Sequence, residues 1–151
     1  MQLQIFYFDT KHAVEVHDWI IENTGGLAGN KDIGQLDSVL EHVQNDMYYP
    51  TFEEKLKHIV YAVNKFHPFI DGNKRSSLTL GAYFLQLNGY DYCLKRFVLE
   101  MENIVVWLAE GKIKDKLLLQ ILKSIIEEDE FSESLKLEIF EAVMSWNKIK
   151  E

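Results

Sequence analysis

Apolar side chains return every three or four positions along most of this chain, the spacing of one face of an α-helix. Leu3, Ile5 and Tyr7 instead alternate with their neighbours and predict one short N-terminal strand. Asp9 or Thr10 then caps a helix carrying Ala13, Val14, Val16, His17, Ile20 and Ile21, which Thr24-Gly25-Gly26 brings to an end. A glycine-containing loop, Gly25 to Gly34, leads into a short helix with Leu36, Val39, Leu40 and Val43. Gln44 to Phe52, with Tyr48-Tyr49-Pro50 at its middle, reads as an exposed loop or hairpin. From Thr51 as N-cap, Leu56, Ile59, Val60, Val63 and Phe66 predict a third helix, and Pro68 ends it by holding His67 extended. Asn73 to Asn88 carries Leu78, Leu80, Ala82, Phe84, Leu85 and Leu87 on all faces, the mark of a central helix buried on most sides. Helices near Phe97 to Ala109 and Lys114 to Ile126 follow. After the acidic break Glu127-Glu128-Asp129-Glu130 comes a last amphipathic helix with Leu135, Ile139, Phe140, Val143 and Trp146. The fold class is mostly α.

Two prolines and eight glycines agree with long helices rather than a turn-rich β-sandwich. A length of 151 residues suits one domain with one core, residues 1–151, and 47% apolar with 26% charged residues excludes wholesale disorder. Sixteen Lys and Arg against 24 Asp and Glu leave a net charge of -8, so no nucleic acid is expected as a main partner. The lone Cys93 rules out an intramolecular disulfide and a Cys-based zinc cluster, and without a local base it reads as packing. With neither a secretory leader nor a membrane-spanning apolar run in the sequence, the chain reads as cytoplasmic.

Candidate chemistry concentrates in His67-Pro68-Phe69-Ile70-Asp71-Gly72-Asn73-Lys74-Arg75. This is the end of one helix, a short loop and the first turn of the next. A helix N-terminus offers unpaired N–H groups and partial positive charge to an anion, and Gly72 lets backbone approach a ligand closely. Lys74 and Arg75 oppose the helix dipole there, which is intelligible if something strongly negative binds. Asp71 is an oxygen ligand of the kind Mg²⁺ takes alongside phosphates, and His67 titrates in the range useful for proton transfer. Taken singly, a His before Pro is a cap, Asp-Gly-Asn a turn and Lys-Arg a solvated surface. Each of these explains one residue and none explains the set, for which phosphoryl or nucleotidyl transfer to a hydroxyl is the reaction suggested. His12, His17, His42 and His58 lack metal-site spacing and are expected to be structural.

His67 to Arg75 closely resembles the active-site motif of the Fic/Doc family, His-x-Phe-x-Asp/Glu-Gly/Ala-Asn-Gly/Lys-Arg. Val14 to Asp18, Gly25 to Leu27 and Asp32 to Ser38 look like the amino-terminal part of Doc (death-on-curing) proteins, and Ser77 to Tyr90 and Ala109 to Lys112 also fit. The resemblance covers about residues 5–126 and implies a Fic-fold helical bundle, with the helix at about 132–148 as an addition. It implies His67 as general base toward a target hydroxyl, Phe69 as the anchor of the loop, and Asp71 as the carboxylate holding Mg²⁺ on ATP. Gly72 and Asn73 would form an anion hole, with Lys74 and Arg75 also binding nucleotide phosphates. Gln44 to Phe52 occupies the place of the family's flap, with Tyr48 and Tyr49 as candidate target contacts.

Two departures from AMP-transferring Fic proteins, Lys74 for Gly and Leu78 for a second Arg, match Doc. Doc's relatives transfer the γ-phosphate of ATP to elongation factor Tu, arrest translation and are neutralised by a separate antitoxin. The resemblance therefore implies a Doc-like kinase toxin. AMP transfer and a non-catalytic binding module are the alternatives, and the oligomeric state stays open.

Overall fold

The computed structural model describes residues 4–150, with side chains as far as Met144. Seven α-helices follow one another: α1 (Thr10–Thr24), α2 (Ile33–His42), α3 (Phe52–Phe66), α4 (Asn73–Leu87), α5 (Leu94–Ala109), α6 (Asp115–Glu127) and α7 (Glu133–Lys150). A single 3-10 turn, Asp91–Cys93, precedes α5.

Local chemistry sets the helix starts. Asp9 accepts the N–H of His12 at 2.9 Å, Asp32 that of Gln35 at 3.1 Å, and the Thr51 hydroxyl that of Glu54 at 3.1 Å. Each removes one of the donors a helix start leaves unpaired. At the other end of α1, Gly25 takes φ 88° and returns its N–H to the Ile21 carbonyl at 2.9 Å.

The core lies where α3 crosses α4. Leu56, Ile59, Val60 and Val63 meet Leu80, Phe84 and Leu85, all buried, with Phe97, Met101, Leu118 and Ile121 closing the far side. Gly81 makes the crossing tight: a Cβ there would stand 2.9 Å from both Val60 Cγ2 and Phe97 Cζ. The prediction that α4 is central holds, although its buried stripe contains Asn73, Ser76 and Ser77 among the apolar residues. Phe131 and Leu135 are buried, bringing α7 onto α6. Among the described residues no helix is long and apolar enough to cross a membrane.

Two expectations need correction, the N-terminal strand and the extended His67, and one open alternative, loop or hairpin, is decided. No strand forms at the N-terminus among the described residues: Ile5 and Tyr7 do pack inward, but Leu3 lies outside the described residues. Among the described residues no neighbouring strand pairs with this segment. The Asn88 carboxamide instead accepts the Phe6 N–H at 2.8 Å and donates to its carbonyl at 3.0 Å. The segment before α3 is a loop and not a hairpin, because Asn45 folds it locally, its side chain accepting the Met47 N–H and its carbonyl the Tyr49 N–H, both at 2.9 Å. Pro68 does end α3, but His67 is left-handed (φ 51°, ψ 58°) and not extended. Proline forbids the right-handed helical region to the residue before it, and the left-handed region also meets that restriction. The side chain of Trp146, assigned to the last helix, lies outside the described ones.

Candidate active site

The loop from His67 to Gly72 crosses between α3 and α4 and is held from both sides. On its inner side Phe69 is fully buried. Its backbone N–H donates to Asn73 Oδ1 at 3.1 Å, and its carbonyl accepts from Asn73 Nδ2 at 3.0 Å. On its outer side the α1–α2 loop lies antiparallel, with an isolated bridge between Asn30 and Phe69. Lys31 and Asp32 N–H both reach the Pro68 carbonyl, at 2.8 and 3.0 Å, and Ile70 N–H reaches the Gly29 carbonyl at 3.1 Å. These bonds over-determine the loop and hold His67 in a backbone region that costs a non-glycine residue roughly 1–2 kcal/mol. His67 is exposed, and its Nδ1 lies 3.4 Å from Asn73 Nδ2.

Asp71 and Gly72 open α4. Gly72 (φ 77°) caps the helix without any side-chain bond, so no side-chain cap occupies the first-turn N–H groups. Asp71 Oδ2 accepts the Leu27 N–H at 3.0 Å and Oδ1 the Gly72 N–H at 2.8 Å. Those two amides, with a smaller contribution from Arg75, hold the Asp71 carboxyl below the ordinary carboxylate range. Each oxygen keeps lone-pair capacity. Among the described residues no group of three or more His, Cys, Asp or Glu side chains is arranged to hold a metal ion. A cation at Asp71 would therefore share itself with phosphate oxygens, the habit of Mg²⁺.

Arg75 reaches back to the end of α1, donating to the Thr24 hydroxyl and, at 2.8 Å, to the Gly25 carbonyl. Its other terminal nitrogen stands 4.0 Å from Asp71 Oδ1. One edge of the guanidinium fork is thus occupied and the rest is left for an anion. Lys74 is exposed, and its side chain makes no hydrogen bond or ion pair among the described residues; its carbonyl accepts the Ser77 hydroxyl at 2.7 Å. The structure thus brings Asp71 and Arg75 together, sets His67 beside Asn73 at 3.4 Å, and leaves the Lys74 side chain in solvent.

The two flap tyrosines separate. Tyr48 is 77% exposed, whereas Tyr49 stacks on His58 of α3, ring centroids 4.4 Å apart, with its hydroxyl 3.3 Å from Nε2. Burial, and then the nearby Lys57 and His42, push the His58 imidazole down to about 4. The loop is also gripped from below by Lys55, fully buried, whose Nζ donates to the Val43 carbonyl at 2.9 Å and to Asp46 Oδ1 at 2.8 Å. Burial alone would lower its pKa, but the bonds to Asp46 and neighbouring Tyr7 outweigh that and hold it above the ordinary lysine value.

The chain's sequence pattern matches that of the Fic/DOC family over residues 7–85, just over half its length and the whole of the loop. The chain belongs to the Fic/DOC family. It is 29% identical over 111 residues to the protein kinase doc of Escherichia phage P1, covering 71% of this chain and 85% of that protein.

Sequence reasoning passed over one Fic/DOC residue at the centre of this arrangement. His17 on α1 is fully buried, stacks on Phe69 with centroids 3.8 Å apart and 4° between planes, and places Nε2 2.6 Å from the Asp71 carbonyl. Its position gives the signal: Ala13, His17 and Ile20 form the buried stripe of α1, a polar residue in an apolar row. The segment Gly25 to Leu27 was read as a helix stop, a loop and part of the family resemblance, without the role its backbone plays toward Asp71 and Arg75.

Proposed function

We propose that this Fic/DOC protein is a Doc-like toxin that transfers the γ-phosphate of ATP to a hydroxyl of a target protein, with elongation factor Tu as the target. The observation that carries the reading is the exposed Lys74 on an uncapped helix start, beside the ionised Asp71 and the half-occupied fork of Arg75. Three sources of positive charge or N–H donors, namely the first-turn amides, Lys74 and Arg75, lie within one short stretch with the Asp71 carboxylate, which supports an anion as the ligand. The similarity to a kinase of this family supports the same direction.

In the proposed reaction the target oxygen bonds to the γ-phosphorus as the bond to the bridging oxygen breaks. ADP leaves and the hydroxyl proton passes to a lone pair of the His67 imidazole. If Nε2 is the accepting nitrogen, the ring proton sits on Nδ1 and the long contact to Asn73 Nδ2 is given up. The first-turn amides, Lys74 and Arg75 stabilise charge on the phosphoryl oxygens. Asp71 would hold Mg²⁺, which supplies further charge neutralisation on the nucleotide phosphates. A separately encoded antitoxin is the proposed partner that silences the protein.

ATP labelled separately at the α- and γ-positions, incubated with purified elongation factor Tu, tests the proposal. Label on the target from the γ-position alone is expected. Label from the α-position alone identifies an AMP transferase, and no transfer to any protein of a bacterial lysate identifies a binding module. Lys74→Gly is expected to abolish γ-transfer, and wild-type γ-transfer in that variant refutes the role given to Lys74.

A further inference from the structure

The buried His17 makes a contact that packing does not require. A carbonyl oxygen only accepts, so at 2.6 Å from the Asp71 carbonyl the Nε2 atom carries a hydrogen. Packing alone is satisfied by the stack of the ring on Phe69. The bonded carbonyl belongs to the peptide whose N–H, that of Gly72, donates to Asp71 Oδ1 at 2.8 Å. Because a peptide is planar, fixing its oxygen fixes its N–H. His17 therefore sets the plane that aims the Asp71 carboxylate and opens the first turn of α4. Gly72 leaves little slack, since a Cβ there would lie 3.5 Å from His17 Nε2 and 3.1 Å from Ile21 Cδ1.

We infer that His17 is a positioning residue for the phosphate site, acting through the Asp71–Gly72 peptide and touching neither nucleotide nor target. The inference rests on the function proposed above for its catalytic consequence, and on geometry alone for the rest. Partners that orient a ligating carboxylate are worth about 10- to 100-fold in activity or affinity when removed.

The test compares His17→Phe, which keeps the stack and loses the donor, with His17→Gln, whose amide N–H reaches about as far as Nε2. In ¹⁵N-labelled wild-type protein the His17 ring proton is expected on Nε2. His17→Phe is expected to shift the Gly72 amide resonance away from its carboxylate-bonded position. It should also lower kcat for γ-transfer about 10- to 100-fold with little change in KM for the target. His17→Gln should restore the Gly72 resonance and most of the turnover.

A ring proton on Nδ1 alone overturns the inference. So does a Phe variant with wild-type kcat and Gly72 resonance, or a Gln variant as impaired as Phe. If the Phe variant does not fold, the wild-type tautomer and the Gln variant decide. If wild-type protein transfers neither label, the proposed function fails, and the tautomer and the Gly72 resonance still decide the positioning role.

Discussion

Asn73→Ala removes the latch that holds the His67 to Gly72 loop on the core. Two backbone groups of the fully buried Phe69, its N–H and its carbonyl, find their partners in the Asn73 carboxamide at 3.1 and 3.0 Å. A buried polar group left without a partner costs about 1–3 kcal/mol, so two groups set a range of roughly 2–6 kcal/mol. Asn73 is 8% exposed, and water entering behind the shortened side chain recovers part of that, which places the expected loss at about 2–4 kcal/mol. For a chain of this size each kcal/mol moves the melting temperature by roughly 2–4 °C, giving a fall of roughly 4–16 °C. Calorimetric melts of wild type, Asn73→Ala and Asn73→Asp measure it. Asn73→Asp keeps the acceptor for the Phe69 N–H but sets a carboxylate against its carbonyl, so it should not rescue. A melting temperature within about 2 °C of wild type for Asn73→Ala refutes the reasoning, because Phe69 would then hold its place without the latch.

His67→Ala should lower turnover about 10²–10⁴-fold with nucleotide binding nearly unchanged by calorimetric titration, and full activity would remove His67 from the mechanism. Gly26→Ala puts a Cβ 2.7 Å from Asp71 Oδ2 and 3.0 Å from Arg75 Nη2, whereas at Gly25 nothing lies within 4 Å. Both glycines have positive φ, so both variants bear backbone strain, but only Gly26→Ala should also weaken Mg²⁺–ATP binding; equal affinities contradict the role given to the loop. The depressed His58 pKa means the unfolded chain takes up this proton more readily than the folded one. The stabilisation from keeping His58 neutral is full above its unfolded value near 6.5 and is lost as pH falls from there toward about 4. Melts across that window should show a slope that His58→Gln flattens, and an unchanged slope counts against it.

Most helix boundaries were legible because caps are local. Asp9, Thr51 and Gly25 act within one turn of their own position, and the motif residues from His67 to Arg75 stand together in the sequence although Asp71 and Arg75 find partners near the end of α1. What escaped notice depends on partners distant in sequence. The alternation of Ile5 and Tyr7 was real, but a strand needs a neighbour, and Asn88 supplied the hydrogen bonds instead. Nothing near Lys55 announces a buried ammonium, because its acceptors, Val43 and Asp46, come from the preceding loop. His17 looked like one more structural histidine until α1 was laid against Phe69 and Asp71.

The α1–α2 loop touches the chemistry through main-chain atoms: the Gly25 and Gly29 carbonyls and the N–H groups of Leu27, Lys31 and Asp32. The side chains of Leu27, Ala28, Asn30 and Lys31 stand in solvent. Their identities are therefore insulated from the geometry that the same residues enforce. Such a loop can be rewritten on its outer surface while the grip on Asp71, Arg75 and Pro68 persists. Outer surface and inner geometry can then diverge at different speeds within a single short stretch of chain.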